Sequence, residues 1–222
     1  MITVHHLNNS RSQRILWLLE ELGLEYDIVR YERDPETMLA PEALRAIHPL
    51  GKSPIVVDGD EVMAESGYII ERLVERYGAD TLAPPANTPA HRQYRYWLHY
   101  AEGSAMLPLT LKLIFDRIEQ APVPFFIKPV MRGISGKVKS GYIDGQIALH
   151  LTYLNDALAE QDWFAGETFS AADIQLSFPL EAAKGRGDLS PYPRLKEFLK
   201  RIHGRNAYQT ALARGGPYSM AA

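Results

Sequence analysis

The stretch from Ile47 to Gly67, IHPLGKSPIVVDGDEVMAESG, constrains the fold of this chain more than any other. Ser53-Pro54 ends a loop and precedes an apolar run, and Asp58-Gly59-Asp60 then reads as a tight turn into a second short run. After Glu65-Ser66 the apolar residues recur at helical spacing. The stretch therefore predicts a β-hairpin followed directly by a helix.

Two more strands and two more helices are predicted before residue 80. Alternating and β-branched residues predict strands over 2–7 and 26–31. Apolar residues three and four apart predict a helix from Arg11 to a C-cap at Gly23, and a shorter helix over 41–47 that ends before Pro49. The final helix of this region ends at Gly78. The order strand–helix–strand–helix–strand–strand–helix predicts an α/β domain over residues 1–80.

The rest of the chain has helical but no alternating patterns. The proline-rich segment 81–89 is predicted to link the first domain to an all-helical domain over 90–222, with Thr88-Pro89 starting its first helix. Helices are predicted over 90–119, with a kink at Pro108, from Ile143 onward, and over 190–214. Three prolines and three glycines predict a loop or a broken helix over 120–141. Ser170 and Asp173, in FSAADI, form a capping box that predicts a helix start.

Composition excludes several classes of function. The 222 residues include no cysteine, so the chain has no disulfide, no Cys-ligated metal site and no thiol chemistry of its own. The net charge of −3 argues against nucleic acid or an anionic membrane as the main partner. The sequence shows neither a signal peptide nor a transmembrane run, and we expect a cytoplasmic protein.

Several of these motifs, in this order, resemble the glutathione S-transferase family. The resemblance covers nearly the whole chain and is most specific in NNSRSQRILWLLEELGL, PLGKSPIVVDG, the Glu65-Ser66 pair and FSAADI. The segment YWLHYAEGS is similar to bacterial and fungal members. The resemblance implies a thioredoxin-like N-terminal domain, an all-α helical-bundle C-terminal domain and a homodimer.

The resemblance also implies how glutathione would bind. In the family the proline corresponding to Pro54 is cis, which leaves the main chain of Ser53 free to pair with the peptide. Glu65 and Ser66 would hold the γ-glutamyl end, and a helix N-terminus at Ser66 would favour its carboxylate. Lys52 would reach the glycyl carboxylate. Glutathione would be a co-substrate, and neither a cofactor nor a metal is expected.

Ser10 is predicted to be the catalytic residue, because in the serine-type enzymes a serine before the first helix hydrogen-bonds the glutathione thiol. Such a bond favours the thiolate, as does a helix N-terminus. Ser12 and Asn9 are alternative donors, and a plain helix cap is the alternative role for Ser10. Arg14 is expected to brace the domain through a salt bridge rather than to contact substrate.

The second substrate, a hydrophobic electrophile, is expected between the domains. The predicted walls come from the loop before the first helix and from the long helix after the linker, although an apolar stripe at this spacing is also typical of a core. The candidate residues are His99, Tyr100, Gly103, Ser104 and Leu107. The activity implied is conjugation of glutathione to electrophiles in detoxification. The alternatives are glutathione-dependent peroxide or disulfide reduction, or a non-catalytic binding protein of the stringent-starvation type.

Overall fold

The N-terminal region forms a four-stranded mixed sheet covered by helices. The computed structural model describes residues 1–186 and 188–220, with no side-chain description at Arg186. The elements of this region are β1 (Ile2–Leu7), α1 (Ser12–Glu21), β2 (Tyr26–Tyr31), a 3₁₀ turn (Glu42–Ala46), β3 (Ile55–Asp58), β4 (Glu61–Ala64) and α2 (Ser66–Tyr77). The strand order is β2-β1-β3-β4, with β1 parallel to β2 and the other two pairs antiparallel. This is the predicted thioredoxin-like arrangement.

Turn chemistry fixes the hairpin that the sequence predicted. Asp58 pairs with Glu61, so Gly59 and Asp60 form a two-residue loop between β3 and β4. Gly59 has a φ of +63°, which a side chain disfavours and a primed hairpin turn requires at its first central position. The register that follows brings Glu65 to the end of β4, next to the start of α2.

The described part of the C-terminal region is built of helices, apart from one isolated β-bridge between Trp163 and Gly166. Its long elements are α3 (Pro89–Tyr100), α4 (Met106–Gln120), α5 (Lys128–Val138), α6 (Asp144–Ala157), α7 (Ala171–Arg186), α8 (Pro193–His203) and α9 (Asn206–Gly215). Thr88 caps α3 as predicted, because its hydroxyl accepts a hydrogen bond from the N–H of His91 at 3.1 Å. No described helix has the length and apolar character that crossing a bilayer would need.

Two pairs of helices in this region, α3 with α4 and α5 with α6, are each joined by a π-helical turn. The first turn, Ala101–Ala105, joins α3 to α4, and the second, Lys139–Ile143, joins α5 to α6. Pro108 lies inside α4 and provides no N–H for the carbonyl four residues earlier, so the predicted irregularity takes this form. For residues 120–141 the sequence predicts a loop or a broken helix, and the structure has the broken helix. Pro129 lies in the first turn of α5, where its missing N–H is not needed for a helical hydrogen bond.

The capping box at the start of α7 is formed as predicted. The Asp173 carboxylate accepts hydrogen bonds from the N–H of Ser170 at 2.8 Å and from the N–H of Phe164 at 2.9 Å. The Ser170 hydroxyl also donates to it, at 3.1 Å. Burial raises the pKa of Asp173 to about 6, against the effect of these bonds. The box therefore fixes α7, which packs against α1 of the first region.

Candidate functional site

A cleft of about 240 Å³ lies where the two regions meet. All five residues predicted to bind glutathione line it, although they are up to 14 positions apart in the sequence. The lining residues are Arg11, His48, Leu50, Lys52, Ser53, Pro54, Ala64, Glu65, Ser66 and Glu102. The cleft thus combines residues from most of the 47–67 stretch with one residue directly before α1 and one from the helical region.

Ser53 is held by its side chain, which leaves its main chain available. The Ser53 hydroxyl donates to the carbonyl of His5 at 3.0 Å and accepts from the N–H of Leu7 at 3.2 Å. These bonds fix the loop to the end of β1. The peptide bond between Ser53 and Pro54 is cis, as the resemblance implied. Among the described residues, no group bonds the main-chain N–H or carbonyl of Ser53.

Glu65 and Ser66 adopt the geometry of an anion site at a helix start. Glu65 has a φ of +69°, which is uncommon for a residue with a side chain. Its carboxylate is exposed and does not cap α2, so the first N–H groups of α2 have no side-chain partner from it. Ser66 is buried, and its hydroxyl accepts a hydrogen bond from Arg14 at 2.5 Å. Unsatisfied N–H groups at a helix N-terminus favour a carboxylate.

Arg14 forms a salt bridge, as predicted, but two of its partners lie in the helical region, so it joins the two regions rather than bracing one domain. Its guanidinium is buried, donates to the main-chain carbonyl of Gln175 at 2.6 Å and forms an ion pair with Glu102. Burial lowers the pKa of Arg14, and the carboxylate of Glu102 opposes that shift. Burial acts to raise the pKa of Glu102, but Arg14 and Arg11 outweigh it and the net pKa is lowered. Glu102 is therefore an anion at neutral pH.

The hydroxyl of Ser10 lies beneath the cleft rather than in its wall. Ser10 is 4% exposed, its hydroxyl lies 2.8 Å from that of Ser12, and it accepts from the N–H of Ser12 at 3.2 Å. The Ser12 hydroxyl lies 2.9 Å from Nδ1 of His6, which is also buried. These contacts fit the capping role that the sequence left open. Thiol activation by Ser10 stays a prediction, and it requires the hydroxyl to turn away from Ser12.

The ring of His6 has a second hydrogen-bond partner besides the Ser12 hydroxyl. The carbonyl of Gly215 accepts a hydrogen bond from the ring of His6, and burial lowers the pKa of His6 to about 4. A neutral imidazole that donates there through one nitrogen accepts through the other. The Ser12 hydroxyl has one proton and two acceptors within reach, Nδ1 of His6 at 2.9 Å and the carbonyl of Leu7 at 3.2 Å.

Asn9, the other alternative donor, is bound by the C-terminal segment. Its φ is +47°, and its side-chain amide oxygen accepts from the N–H of Ser219 at 2.8 Å and from the Ser219 hydroxyl at 3.0 Å. Of the residues 8–12, Arg11 is the one that lines the cleft. Sequence reasoning missed Arg11 and Glu102 as site residues, although both lie within motifs that carried the resemblance.

None of the five residues predicted to bind the electrophile lines this cleft. Tyr100 is buried, its hydroxyl lies 2.6 Å from Nδ1 of His150, and its ring packs edge-on against Trp97. That is the core interpretation which the stripe left open. His99, Gly103 and Leu107 are exposed and Ser104 is half-buried. An electrophile site at these positions stays a prediction.

The described residues include no cluster of three or more His, Cys, Asp or Glu side chains that could hold a metal ion. The adjacent histidines of β1 have different partners, because successive strand residues point to opposite faces. His5 contacts the hydroxyl of Tyr31 at 2.9 Å, whereas His6 contacts Ser12.

Comparison with known proteins agrees with this geometry. Residues 10–76 match the family model of the glutathione S-transferase N-terminal domain, and residues 138–201 match that of the C-terminal domain. The chain is 38% identical to "Glutathione S-transferase 3" of Schizosaccharomyces pombe, over 95% of this chain and 86% of that protein. It is 28% identical to "Disulfide-bond oxidoreductase YfcG" of Escherichia coli, over 96% and 94% of the two chains.

A solved structure of a glutathione S-transferase from Actinobacillus pleuropneumoniae is similar to this chain throughout. The TM-score is 0.82 at 33% sequence identity, and the match covers 100% of this chain and 96% of the other. Family models, a curated relative and a solved structure thus lead to one assignment. The chain belongs to the glutathione S-transferase family of enzymes.

Proposed function

We propose that this protein conjugates the thiolate of glutathione to hydrophobic electrophiles, as a detoxifying enzyme. The observation that supports this most is that Lys52, Ser53, Glu65 and Ser66 line one cleft. Their chemistry complements glutathione from end to end. A cation would meet the glycyl carboxylate, a free main chain would meet the cysteinyl residue, and an acid would meet the γ-glutamyl ammonium. The start of α2 would meet the γ-glutamyl carboxylate.

The reaction requires the bound thiol to lose its proton. An unperturbed thiol has a pKa of about 8.5, so about 3% is ionised at pH 7. The proton leaves to solvent, the sulfur lone pair forms a bond to the electrophilic carbon, and the leaving group departs with its electron pair. The protein has to hold the peptide and to stabilise the sulfur anion.

Isothermal titration calorimetry with glutathione, together with conjugation to a dinitrohalobenzene, tests the proposal. We expect Lys52→Ala to weaken glutathione binding by about tenfold, since it would remove one charge-assisted hydrogen bond. Lys196→Ala, on the exposed side of α8, is the matched control and should bind normally. Failure of the unmodified protein to bind glutathione would reject the function.

Disulfide reduction is a second candidate, favoured by the similarity to the Escherichia coli oxidoreductase. It would use the same glutathione thiolate and needs no cysteine of the protein. A glutathione thiolate would attack a disulfide, forming a mixed disulfide and releasing one thiolate. A second glutathione thiolate would then release the other thiolate and form oxidised glutathione. A small dialkyl disulfide assayed with glutathione reductase and its reductant measures this turnover directly. A hydroperoxide in the same assay tests peroxide reduction.

We also propose a homodimer in the cytoplasm, on the strength of family resemblance. Sedimentation equilibrium measures the mass in solution. A mass near twice that of one 25.0 kDa chain is expected, and a concentration-independent monomer would contradict the proposal.

A further inference from the structure

We propose that Arg11 is a catalytic residue whose guanidinium stabilises the glutathione thiolate, and that Glu102 holds it in place. The proposal rests on the proposed function, because it assumes that glutathione occupies the cleft. It adds a residue and a chemical role that the sequence motifs did not suggest. Three features of the described residues support it: the available donors, the anchoring of Arg11, and the remaining charges of the cleft.

Donors near the start of α1 are few once existing bonds are counted. The hydroxyls of Ser10 and Ser12 are buried, and they are bonded to each other and to His6. The side-chain amide oxygen of Asn9 accepts hydrogen bonds from Ser219, and Asn9 is not among the residues that line the cleft. Arg11 is the residue of this segment that lines the cleft. Its guanidinium is therefore the side-chain donor that this segment presents to an anion in the cleft.

The guanidinium of Arg11 is held in place by its Nε, which leaves its other N–H donors available. Its Nε donates to both carboxylate oxygens of Glu102, at 3.0 and 2.9 Å. Its central carbon lies 5.0 Å from the centre of the Phe178 ring, which adds a cation–π contact. Neither terminal NH₂ group has a partner among the described residues. Arg11 therefore presents a positioned positive charge with four free N–H donors.

The other positively charged features of the cleft match the two carboxylates of glutathione. Lys52 is the cation available to the glycyl carboxylate. The γ-glutamyl carboxylate has the start of α2, with Arg14 directly behind Ser66 at 2.5 Å. The cysteinyl residue lies between these two ends in the peptide. The thiolate is thus the anion left for Arg11.

The expected effect on the thiol is moderate. An arginine beside an anion lowers its pKa by about 1 to 3 units, and the lower end applies because the Arg11 side chain is 36% exposed. Glu102 opposes the effect, but its charge is shared with Arg14. About one unit corresponds to about a tenfold larger thiolate fraction at neutral pH. The arginine stays protonated, and the thiol proton leaves to solvent.

The test compares Arg11→Gln and Arg11→Lys with the unmodified protein and with Arg92→Gln, an exposed arginine on α3, as control. Ultraviolet absorbance of the thiolate, titrated against pH, gives the pKa of bound glutathione. Calorimetry with S-methylglutathione, which cannot ionise at sulfur, measures binding apart from thiolate formation. Arg11→Lys keeps the charge and checks that any effect is electrostatic.

Arg11→Gln should raise the thiol pKa by about one unit and leave S-methylglutathione binding within about threefold. Arg11→Lys should keep most of the shift, and Arg92→Gln should change neither quantity. An unchanged thiol pKa in Arg11→Gln would overturn the proposal. An equal loss of binding for both peptides would also overturn it, by assigning Arg11 to a carboxylate. If the unmodified protein binds neither peptide, the proposed function fails first and this proposal fails with it.

Discussion

The contacts of single residues determine which side chains line the cleft. The clearest case is the buried series of hydrogen bonds from Ser10 through Ser12 to His6. The sequence placed Ser10 before the first helix, and the structure agrees. No local pattern could reveal that the ring of His6 would lie under Ser12, because that contact depends on how β1 packs against α1. The same packing leaves Arg11 half-buried, as the member of the segment 8–12 that lines the cleft.

Ser10→Ala tests whether the buried hydroxyl turns toward sulfur. Because it is bonded to Ser12, we expect kcat/KM for conjugation to fall by less than about tenfold, with a loss of stability of about 1 kcal/mol from the lost capping contact. Conjugation kinetics and urea unfolding measure the two effects. A loss of about a hundredfold or more, the size expected for a direct catalytic donor, would restore the role predicted from the sequence.

The stability of the protein should depend on the titration of His6. Its pKa is about 4 in the folded state against an ordinary 6.5, so the unfolded chain takes up the proton first as the pH falls. The contribution to stability is complete above pH 6.5 and is lost between pH 6.5 and 4, amounting to about 2 kcal/mol between pH 7 and 5. Urea unfolding of His6→Gln at both pH values should lack this loss. The control variant His99→Gln, which replaces an exposed histidine, should still lose this stability between pH 7 and 5. If His6→Gln kept the same dependence of stability on pH as the unmodified protein, the account would be contradicted.

At the scale of elements, periodicity and end signals predicted most of the fold. Thr88-Pro89, the Gly59 turn and the Ser170–Asp173 box each use a local rule that the structure obeys. Over 120–141 the broken-helix alternative holds, because α5 accommodates Gly133 and Gly136. Glycine lowers helix propensity, but contacts with α4 offset that penalty.

Asp173 is expected to be the capping residue that matters most for stability. It satisfies two buried N–H groups, those of Ser170 and Phe164, which would lose their partner in Asp173→Ala. The free energy of unfolding should fall by about 3 kcal/mol. Thr88→Ala, at the less buried cap of α3, should lower it by about 1 kcal/mol. Urea unfolding measures both, and equal losses would mean that burial of the box adds nothing.

At the scale of the whole molecule, the two regions are joined by polar contacts across α1. Arg14 links Ser66, Glu102 and Gln175, and Arg205 pairs with Glu21 at 2.5 Å. The role of Arg14 could be predicted from its place in the family motif. Its partners could not, because they lie 52 to 161 positions away in the sequence. The cleft therefore depends on the helical region as well as on the sheet.

Replacing Arg14 should affect both stability and binding. Arg14→Met leaves Glu102 with Arg11 alone and leaves the Ser66 hydroxyl without its donor, so the free energy of unfolding should fall by about 2–4 kcal/mol. Glutathione affinity should fall in the same variant, since Ser66 lines the cleft. Urea unfolding and calorimetry on one sample measure the two. Normal stability with normal binding would show that the regions do not depend on this contact.

The most direct test of the account is a crystal structure with glutathione bound. We predict that the cysteinyl main chain pairs with Ser53, that the γ-glutamyl group contacts Glu65 and Ser66, and that the sulfur lies within hydrogen-bond distance of Arg11. Glutathione bound away from this cleft, or in it with the γ-glutamyl end far from α2, would contradict the account.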